Sequence, residues 1–321
     1  MTQQREVFLH QAGQADGRSP LYAALCRQFA DDARVGALIE SPPRWDAPLR
    51  LLAGLHLLVL QGRATWDDVP EAIEREADFL REYVGHVEIQ TNEVQRAWAL
   101  LPCFLELARW SRSNRFDLVE LGTSAGLLLL WDRYRYRYAA GQWGGKGAAL
   151  DLTGEERSAI PPELLRIVPR VRRRVGIDRN PLDLRNPEDL LLLKSFVWAG
   201  QEERLARLDA AAAALRDDPP ELVRGDIVER LPAELAHRSE EALTVVLNSA
   251  ALGYLDEAGR KRVRDELERA GEAGPLAYVT TTRPANGTDR HWALAIELWP
   301  EGGRREVAYA DFHGAWLEWR G

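Results

Sequence analysis

The residues Phe116 to Trp131, Phe-Asp-Leu-Val-Glu-Leu-Gly-Thr-Ser-Ala-Gly-Leu-Leu-Leu-Leu-Trp, constrain this chain more than any other stretch. They open with a short apolar run of the kind buried in a parallel sheet. The small residues Gly122, Thr123, Ser124, Ala125 and Gly126 follow, and then an apolar run long enough for a helix. Strand, small-residue turn and helix form the first half of a nucleotide-binding βαβ unit, in which backbone N–H groups and the positive end of the helix meet the ligand. Glu120 stands at the end of the strand. A carboxylate there repels a pyrophosphate and suits a ligand carrying an ammonium or sulfonium charge. The expected cofactor is therefore S-adenosylmethionine (SAM), with S-adenosylhomocysteine (SAH) as its product, rather than NAD.

A chain of 321 residues, 45% hydrophobic and 29% charged, has the length for one large domain or two ordinary ones and can bury a substantial core. Net charge is 42 − 50 = −8, without a block of Lys or Arg, which argues against nucleic acid as the main partner. The longest apolar runs are too short to cross a bilayer. The segment Met-Thr-Gln-Gln-Arg-Glu-Val-Phe lacks a basic stretch followed by an apolar core. The expectation is a cytoplasmic protein with a small-molecule substrate and no membrane partner; a homodimer is allowed. Cys26 and Cys103 lie in apolar helical segments and read as buried thiols, with no Cys/His spacing that implies a metal.

Up to residue 113 the chain reads as helices throughout, an N-terminal helical lid or substrate domain over 1–113. Ser19 and Pro20 open one helix, with Leu21, Leu25 and Phe29 on a stripe. Pro48–Gln61 and Trp66–Glu82 are two more. Gln90–Arg112 is the longest, with Asn92 and Gln95 spaced as a capping box and Pro102 as a source of a kink. Thr91, Asn92 and Glu93 are consecutive polar residues where that helix begins. They fit helix capping, and they equally fit an end that faces a ligand and bonds substrate.

From 114 to 321 the pattern changes to α/β alternation. Asp132-Arg-Tyr-Arg-Tyr-Arg-Tyr138 alternates strictly, predicting a hairpin with tyrosines on one face and arginines on the other. An arginine face is more often solvated than functional, yet Arg133 and Tyr134 follow directly on the ligand-binding helix and are candidate substrate contacts. Val175-Gly-Ile-Asp178 reads as a second strand ending in an acid placed to accept ribose hydroxyls. The interval from the glycine turn is 178 − 122 = 56 residues, against about 20 in the usual fingerprint; an inserted Arg/Tyr hairpin at about 132–174 accounts for the excess. Leu222-Val-Arg-Gly225-Asp226 is a third strand ending in an acid. Leu243–Ala250 is the fourth, with Asn248 and Ser249 at its carboxyl end, where sites in open α/β sheets form. A helix over 256–270 and strands over 275–282, 291–298 and 306–312 complete the pattern.

The whole chain resembles the bacterial domain-of-unknown-function family numbered 2332, whose members are generally described as methyltransferase-like. The resemblance is carried by Ser19-Pro-Leu-Tyr-Ala-Ala-Leu, Gln90-Thr-Asn-Glu-Val, Val119-Glu-Leu-Gly-Thr-Ser-Ala-Gly-Leu and Asp132-Arg-Tyr-Arg-Tyr. It continues through Val175-Gly-Ile-Asp-Arg-Asn-Pro-Leu-Asp, Arg224-Gly-Asp, Asn248-Ser-Ala-Ala-Leu-Gly-Tyr-Leu and Trp316-Leu-Glu-Trp. It implies a Rossmann-like class I methyltransferase sheet, doubly wound, behind the helical domain. Leu128 and Asn248 depart from the family's pattern, which often has Asn and His there. An amide does not titrate, so a base role at 248 does not carry over.

The leading expectation is a SAM-dependent methyltransferase acting on a small molecule. Glu120, Gly122, Thr123, Ser124 and Gly126 would hold the methionine moiety, Asp178 and Arg179 the ribose side, and Gly225 and Asp226 the adenine. Asn248 also borders the cofactor, and Asn248 and Tyr254 are the candidate catalytic residues; Asn92, Glu93, Arg133 and Tyr134 are the candidate substrate contacts. A SAM-fold binding or interaction module without turnover is the alternative. An NAD(P)-dependent oxidoreductase is disfavoured, because Ser124 and Leu127 break the Gly-x-Gly-x-x-Gly pattern.

Overall fold

The structure, a computed structural model, describes residues 2–283, 291–300 and 302–321. These fall into two compact units. One comprises residues up to Thr91 together with Asp183–Asp209, and the other Asn92–Leu182 together with Ala210–Gly321.

The first unit is helical. It contains α1 (Gln3–Ala15), α2 (Pro20–Phe29), α3 (Ala33–Gly36), α4 (Ala47–Leu60), α5 (Val69–Arg75) and α6 (Ala77–His86). Ser19 caps α2 by accepting from Tyr22 N, as Ser-Pro at a helix start predicts. The segment expected as one helix over 66–82 is two, divided at Glu76, whose backbone (φ −109°, ψ 21°) leaves the helical region. Phe8, Tyr22, Phe29, Leu51, Leu55, Ile73 and Leu80 form its core.

The helix expected over 90–112 starts later, as α7 (Arg96–Ser111), and continues through Pro102. The capping box of Asn92 and Gln95 does not form. Asn92 Nδ2 donates to the Thr123 carbonyl at 2.8 Å, and the local turn is made by Glu93, whose Oε1 accepts Gln95 N at 3.0 Å. The division between units falls at 91/92, ahead of the boundary expected at 113, because α7 is almost wholly buried within the second unit. There it lies against β9 and β10 of the sheet described next, and Phe104 stacks on Trp131 with centroids 4.4 Å apart.

That unit holds β1 (Arg115–Leu121), β2 (Arg135–Tyr138), β3 (Gly141–Trp143), β4 (Asp151–Thr153), β5 (Glu155–Ser158) and β6 (Arg170–Asp178). Between β6 and β7 (Glu221–Arg224) the chain forms α8 (Pro187–Ser195), in the helical unit, and α9 (Glu202–Asp217), which runs from one unit into the other. Then come α10 (Ile227–Ala236), β8 (Leu243–Asn248), α11 (Glu257–Glu272), β9 (Leu276–Thr282), β10 (Trp292–Trp299), β11 (Gly303–Ala310) and β12 (Trp316–Trp319).

Among the described residues the main sheet has nine strands in the order β5-β12-β11-β10-β9-β8-β1-β6-β7. The architecture is α/β, as expected. β7, β6, β1, β8 and β9 are parallel, and β9 to β12 form an antiparallel meander. Numbered along the chain, the parallel strands stand 3-2-1-4-5, so the direction of winding reverses between β1 and β8. Crevices of open α/β sheets form at the carboxyl ends of strands beside such a reversal. Alternation along β1 divides the faces. Val119 and Leu121 pack under Ile227, Leu231 and Leu235 of α10 and Val263 and Leu267 of α11, whereas Leu118 and Glu120 turn to the other face.

The Arg/Tyr hairpin forms as predicted, with β2, β3 and β4 in a small sheet of their own. Tyr134, Tyr136 and Tyr138 are buried. The apolar run after the glycine turn is a correction: Leu127–Arg133 is a seven-residue 3₁₀ segment, irregular at Leu130, instead of an α-helix. Its carbonyls are taken by side chains from elsewhere. Tyr134 Oη donates to Leu127 O, Tyr136 Oη to Trp131 O and Arg174 Nε to Leu129 O. These bonds compete with the i→i−4 ladder that an α-helix needs, and no full helix terminus stands behind the turn.

Among the described residues no helix is long and apolar enough to cross a membrane.

Candidate functional site

Register brings the strand ends together. Glu120 stands beside Gly176 on β6 and Leu247 on β8, and Leu121 beside Ile177 and Asn248. Asp178 stands beside Arg224 of β7, and Asn248 beside Thr280 of β9. Parallel strands finish at a common edge, so this edge collects Glu120, the glycine turn, Asp178, Gly225, Asp226 and Asn248.

The turn folds back on β6. Gly122 N and Thr123 N both donate to Ile177 O, at 2.8 and 3.2 Å, and Gly126 N closes the loop onto Thr123 O at 2.9 Å. Gly122 has φ +70°, a conformation that favours glycine. Ser124 is also left-handed, at φ +53°, and its N–H donates to Asp178 Oδ2 at 2.8 Å. The other oxygen of Asp178 accepts Asn180 N at 2.8 Å. Asp178 thus fixes the turn with one oxygen and its own loop with the other, and it stays partly open to solvent.

Glu120 is 3% exposed and accepts the Thr123 hydroxyl at 2.7 Å. Burial pushes its carboxyl up to about 8; the Thr123 hydrogen bond opposes the rise, the Asp178 charge adds to it, and the Arg96 guanidinium opposes it. At neutral pH the group is largely protonated. A Cβ on Gly176 would stand 2.4 Å from Thr123 Cγ2, so only glycine there lets Thr123 sit against β6.

Beyond β7, Gly225 N donates to Asp178 O at 2.8 Å. Asp226 caps α10 by accepting Val228 N at 2.8 Å, and its second oxygen receives Arg179 Nη2 at 2.6 Å. Burial acts to raise the Asp226 carboxyl, but the Arg179 pair and the Val228 bond outweigh it and hold the group below the usual range. Arg224 donates to the Arg179 carbonyl and to Asn180 Oδ1, which ties the β6 and β7 loops together.

Asn248 is 2% exposed and spans two elements. Its Nδ2 donates to Thr280 Oγ1 at 3.1 Å and its Oδ1 accepts Leu252 N at 3.1 Å. Both ends of the amide are used structurally. Leu252 belongs to a 3₁₀ turn, Ala251–Tyr254, whose Ala251 lies directly over Gly122. Tyr254, on the same turn, is 62% exposed. Asn92 Nδ2 reaches the Thr123 carbonyl from the segment before α7, and Glu93, 3% exposed, is used in that segment's own turn.

Of the expected substrate contacts on the hairpin, Tyr134 lies in the core and Arg133 on the surface. Tyr134 is fully buried, its hydroxyl donating to Leu127 O at 2.8 Å, and burial raises its pKa far above the usual phenol range. Arg133 is paired with Asp218. Strict Arg/Tyr alternation marks a strand with one buried face, and here the buried face is core.

Sequence reasoning missed several residues at this edge. Arg96 acts on Glu120, stacks over the Trp292 ring at 4.8 Å and donates to Phe312 O at 2.9 Å. Thr281 Oγ1 accepts Ala250 N at 3.0 Å. Ser249 Oγ is buried with no hydrogen-bond partner. None of these three carries a local signal, whereas Gly176 does: a glycine inside a strand marks the close approach of another group. A groove of about 860 Å³ bounded by Ser113, Arg238, Leu243, Pro275 and Trp299 lies where β8 and β9 begin, at the other edge of the sheet. It includes none of the residues above. Among the described residues no group of three or more His, Cys, Asp or Glu could hold a metal ion.

Residues 5–319 match the family described as uncharacterized protein conserved in bacteria (DUF2332). The chain belongs to the DUF2332 family. The match spans both units, and no curated protein matches the chain. In this DUF2332 protein, then, the strand-end carboxyls and the turn between them are the features from which function must be argued.

Proposed function

We propose that this protein binds an S-adenosyl ligand and transfers its methyl group to a small molecule, on a Rossmann-like methyltransferase sheet. The observation that carries the reading is the row of three acids, Glu120, Asp178 and Asp226, at the carboxyl ends of three adjacent parallel strands, with the Gly122–Gly126 turn between the first two. The 3-2-1-4-5 order of the parallel strands supports the same fold reading. The residues fit the ligand's chemistry. Asp178 retains lone pairs facing a partly open edge and suits a ribose diol. Asp226 is an acceptor beside Gly225 and suits an adenine amine. Asn92 Oδ1 is a buried acceptor without a donor beside the turn.

When bound, the ligand supplies an electrophilic methyl on a sulfonium. The protein's part is then chiefly positional, since an in-line approach in a dry cleft can provide most of the acceleration. Asp178 orients the turn through Ser124 N, and Gly122 brings the backbone close. Asn248 holds the Ala251–Tyr254 turn over Gly122 and leaves Tyr254 exposed beside it. This arrangement suits an acceptor that is already a good nucleophile.

A second reading, a module that binds the ligand without turnover, is favoured by the state of Asn248, whose amide is fully engaged in structure. Both readings require binding. SAM or SAH should raise the melting temperature of the purified chain, and Asp178→Ala should abolish the rise. No shift with either ligand would sink both readings. Conversion of labelled SAM to SAH with cell extract separates the enzyme from the module.

A further inference from the structure

Thr123 joins two side chains. Its hydroxyl donates to Glu120, and its carbonyl accepts from Asn92 Nδ2. With Nδ2 committed to the turn, Asn92 Oδ1 is left inside the protein, shut from solvent and without a donor. Folded proteins rarely leave a buried amide oxygen without a partner, and the N–H of a ligand is one group that would satisfy it.

Glu120 is the complementary oddity. It is a buried carboxyl whose surroundings favour the neutral form. Of the charged or titratable groups that face it, Asp178 on β6 disfavours its ionisation and Arg96 on α7 favours it. The Tyr134 hydroxyl faces it from the segment after the turn and is raised further by a Glu120 charge. Thr123 therefore stands between two acceptors, Asn92 Oδ1 without a donor and the Glu120 carboxyl kept neutral chiefly by burial. A charged N–H group satisfies both.

We propose that Asn92 Oδ1 and the Glu120 carboxylate together receive an alkylammonium group of the ligand, and that Glu120 releases its proton to solvent as that group docks. This rests on the adenosyl reading above, in which the group is the ammonium of the ligand's amino-acid portion. The balance is one Glu120 O–H bond broken, its proton passed to buffer, and the carboxylate so formed paired with the ammonium. No covalent bond to the ligand changes. Asn92, from outside the glycine turn, would select ligands that present a donor. Binding should strengthen as pH rises toward about 8, the value at which Glu120 ionises unaided, provided the ammonium remains charged.

The test is calorimetric titration of the full chain with SAH near neutral pH in two buffers of different ionisation enthalpy, repeated with SAH lacking its amino group. The expected result is release of close to one proton per SAH and none with the deaminated compound, which should bind about tenfold or more weakly. Glu120→Gln should abolish proton release while still binding the deaminated compound, and Asn92→Ala should narrow the gap between the two ligands. SAH binding without proton release, or equal affinity for the two compounds, overturns the inference and leaves the adenosyl reading standing. If neither compound binds, both fall. The wild-type measurements decide the matter even if a variant folds poorly.

Discussion

Ala251 Cβ occupies the place next to Gly122 that a side chain at 122 would need: a Cβ built there would lie 2.3 Å from it. The turn after β8 is thus seated on the turn after β1, across the point where the winding of the sheet reverses. Gly62 provides a matched control, with the same φ of +70° and nothing within 4 Å of a built Cβ. Gly62→Ala should cost about 1 kcal/mol, from backbone strain alone. Gly122→Ala adds overpacking and should cost about 3 kcal/mol in all. Denaturant midpoints for the two variants check the difference, and equal losses would show that Ala251 yields freely.

Glu120 should make stability depend on pH. Its folded value, about 8, lies above the ordinary 4.5, so the folded state holds the proton more tightly than the unfolded chain. Its contribution is fully present below the ordinary value and is lost as pH rises through about 8. The slope across that window is at most about 1.4 kcal/mol per pH unit. Glu120→Gln should flatten this part of the profile and be more stable than wild type near pH 8. Parallel profiles for the two proteins would refute the assignment.

Asn248→Ala should cost about 1–3 kcal/mol, because it leaves Leu252 N and Thr280 Oγ1 without their partner. Hydrogen exchange at the Leu252 amide should quicken while that of the β1 amides is little changed. A variant that lost methyl transfer at unchanged stability and exchange would instead make Asn248 a catalytic residue.

Acid should loosen the small sheet. Arg137 and Arg135 both bond Asp151 and hold its carboxyl down at about 2. The resulting stability is present above the unfolded value of 3.8 and is lost as pH falls through about 2. The Arg137 side chain is half exposed, so solvent limits the effect to under about 1 kcal/mol. Exchange rates of the β2 and β4 amides, compared with those in Asp151→Asn, should converge below pH 2 and differ above pH 4.

The features legible in the sequence were those set by local chemistry. Apolar runs ending at Glu120, Asp178 and Asp226 marked strands, because burial and a polar terminus leave a short-range signature. The Arg/Tyr alternation marked a strand with one buried face. What escaped was decided by contacts distant in the chain. Leu127–Trp131 has the composition of a helix, and its carbonyls are claimed by Tyr134, Tyr136 and Arg174. Asn92 has the spacing of a cap, but its amide bonds Thr123, 31 residues on. Asn248 lies at the strand end that the sequence indicates, but nothing local announces that Thr280 and Leu252 use both ends of its amide.

The helical unit is not continuous in the chain, because α8 comes from residues 183–209. Within that unit His56 Nδ1 meets the Ser195 carbonyl, Tyr83 Oη meets Ser195 Oγ and Ser19 Oγ meets the Ala199 carbonyl. During synthesis the first six helices therefore emerge with part of their core unfilled, and they must wait until β1 and β6 have also left the ribosome. A nascent chain halted before residue 183 would leave Ser19, His56 and Tyr83 without these partners. The helical unit matures late in translation, although most of it is made first.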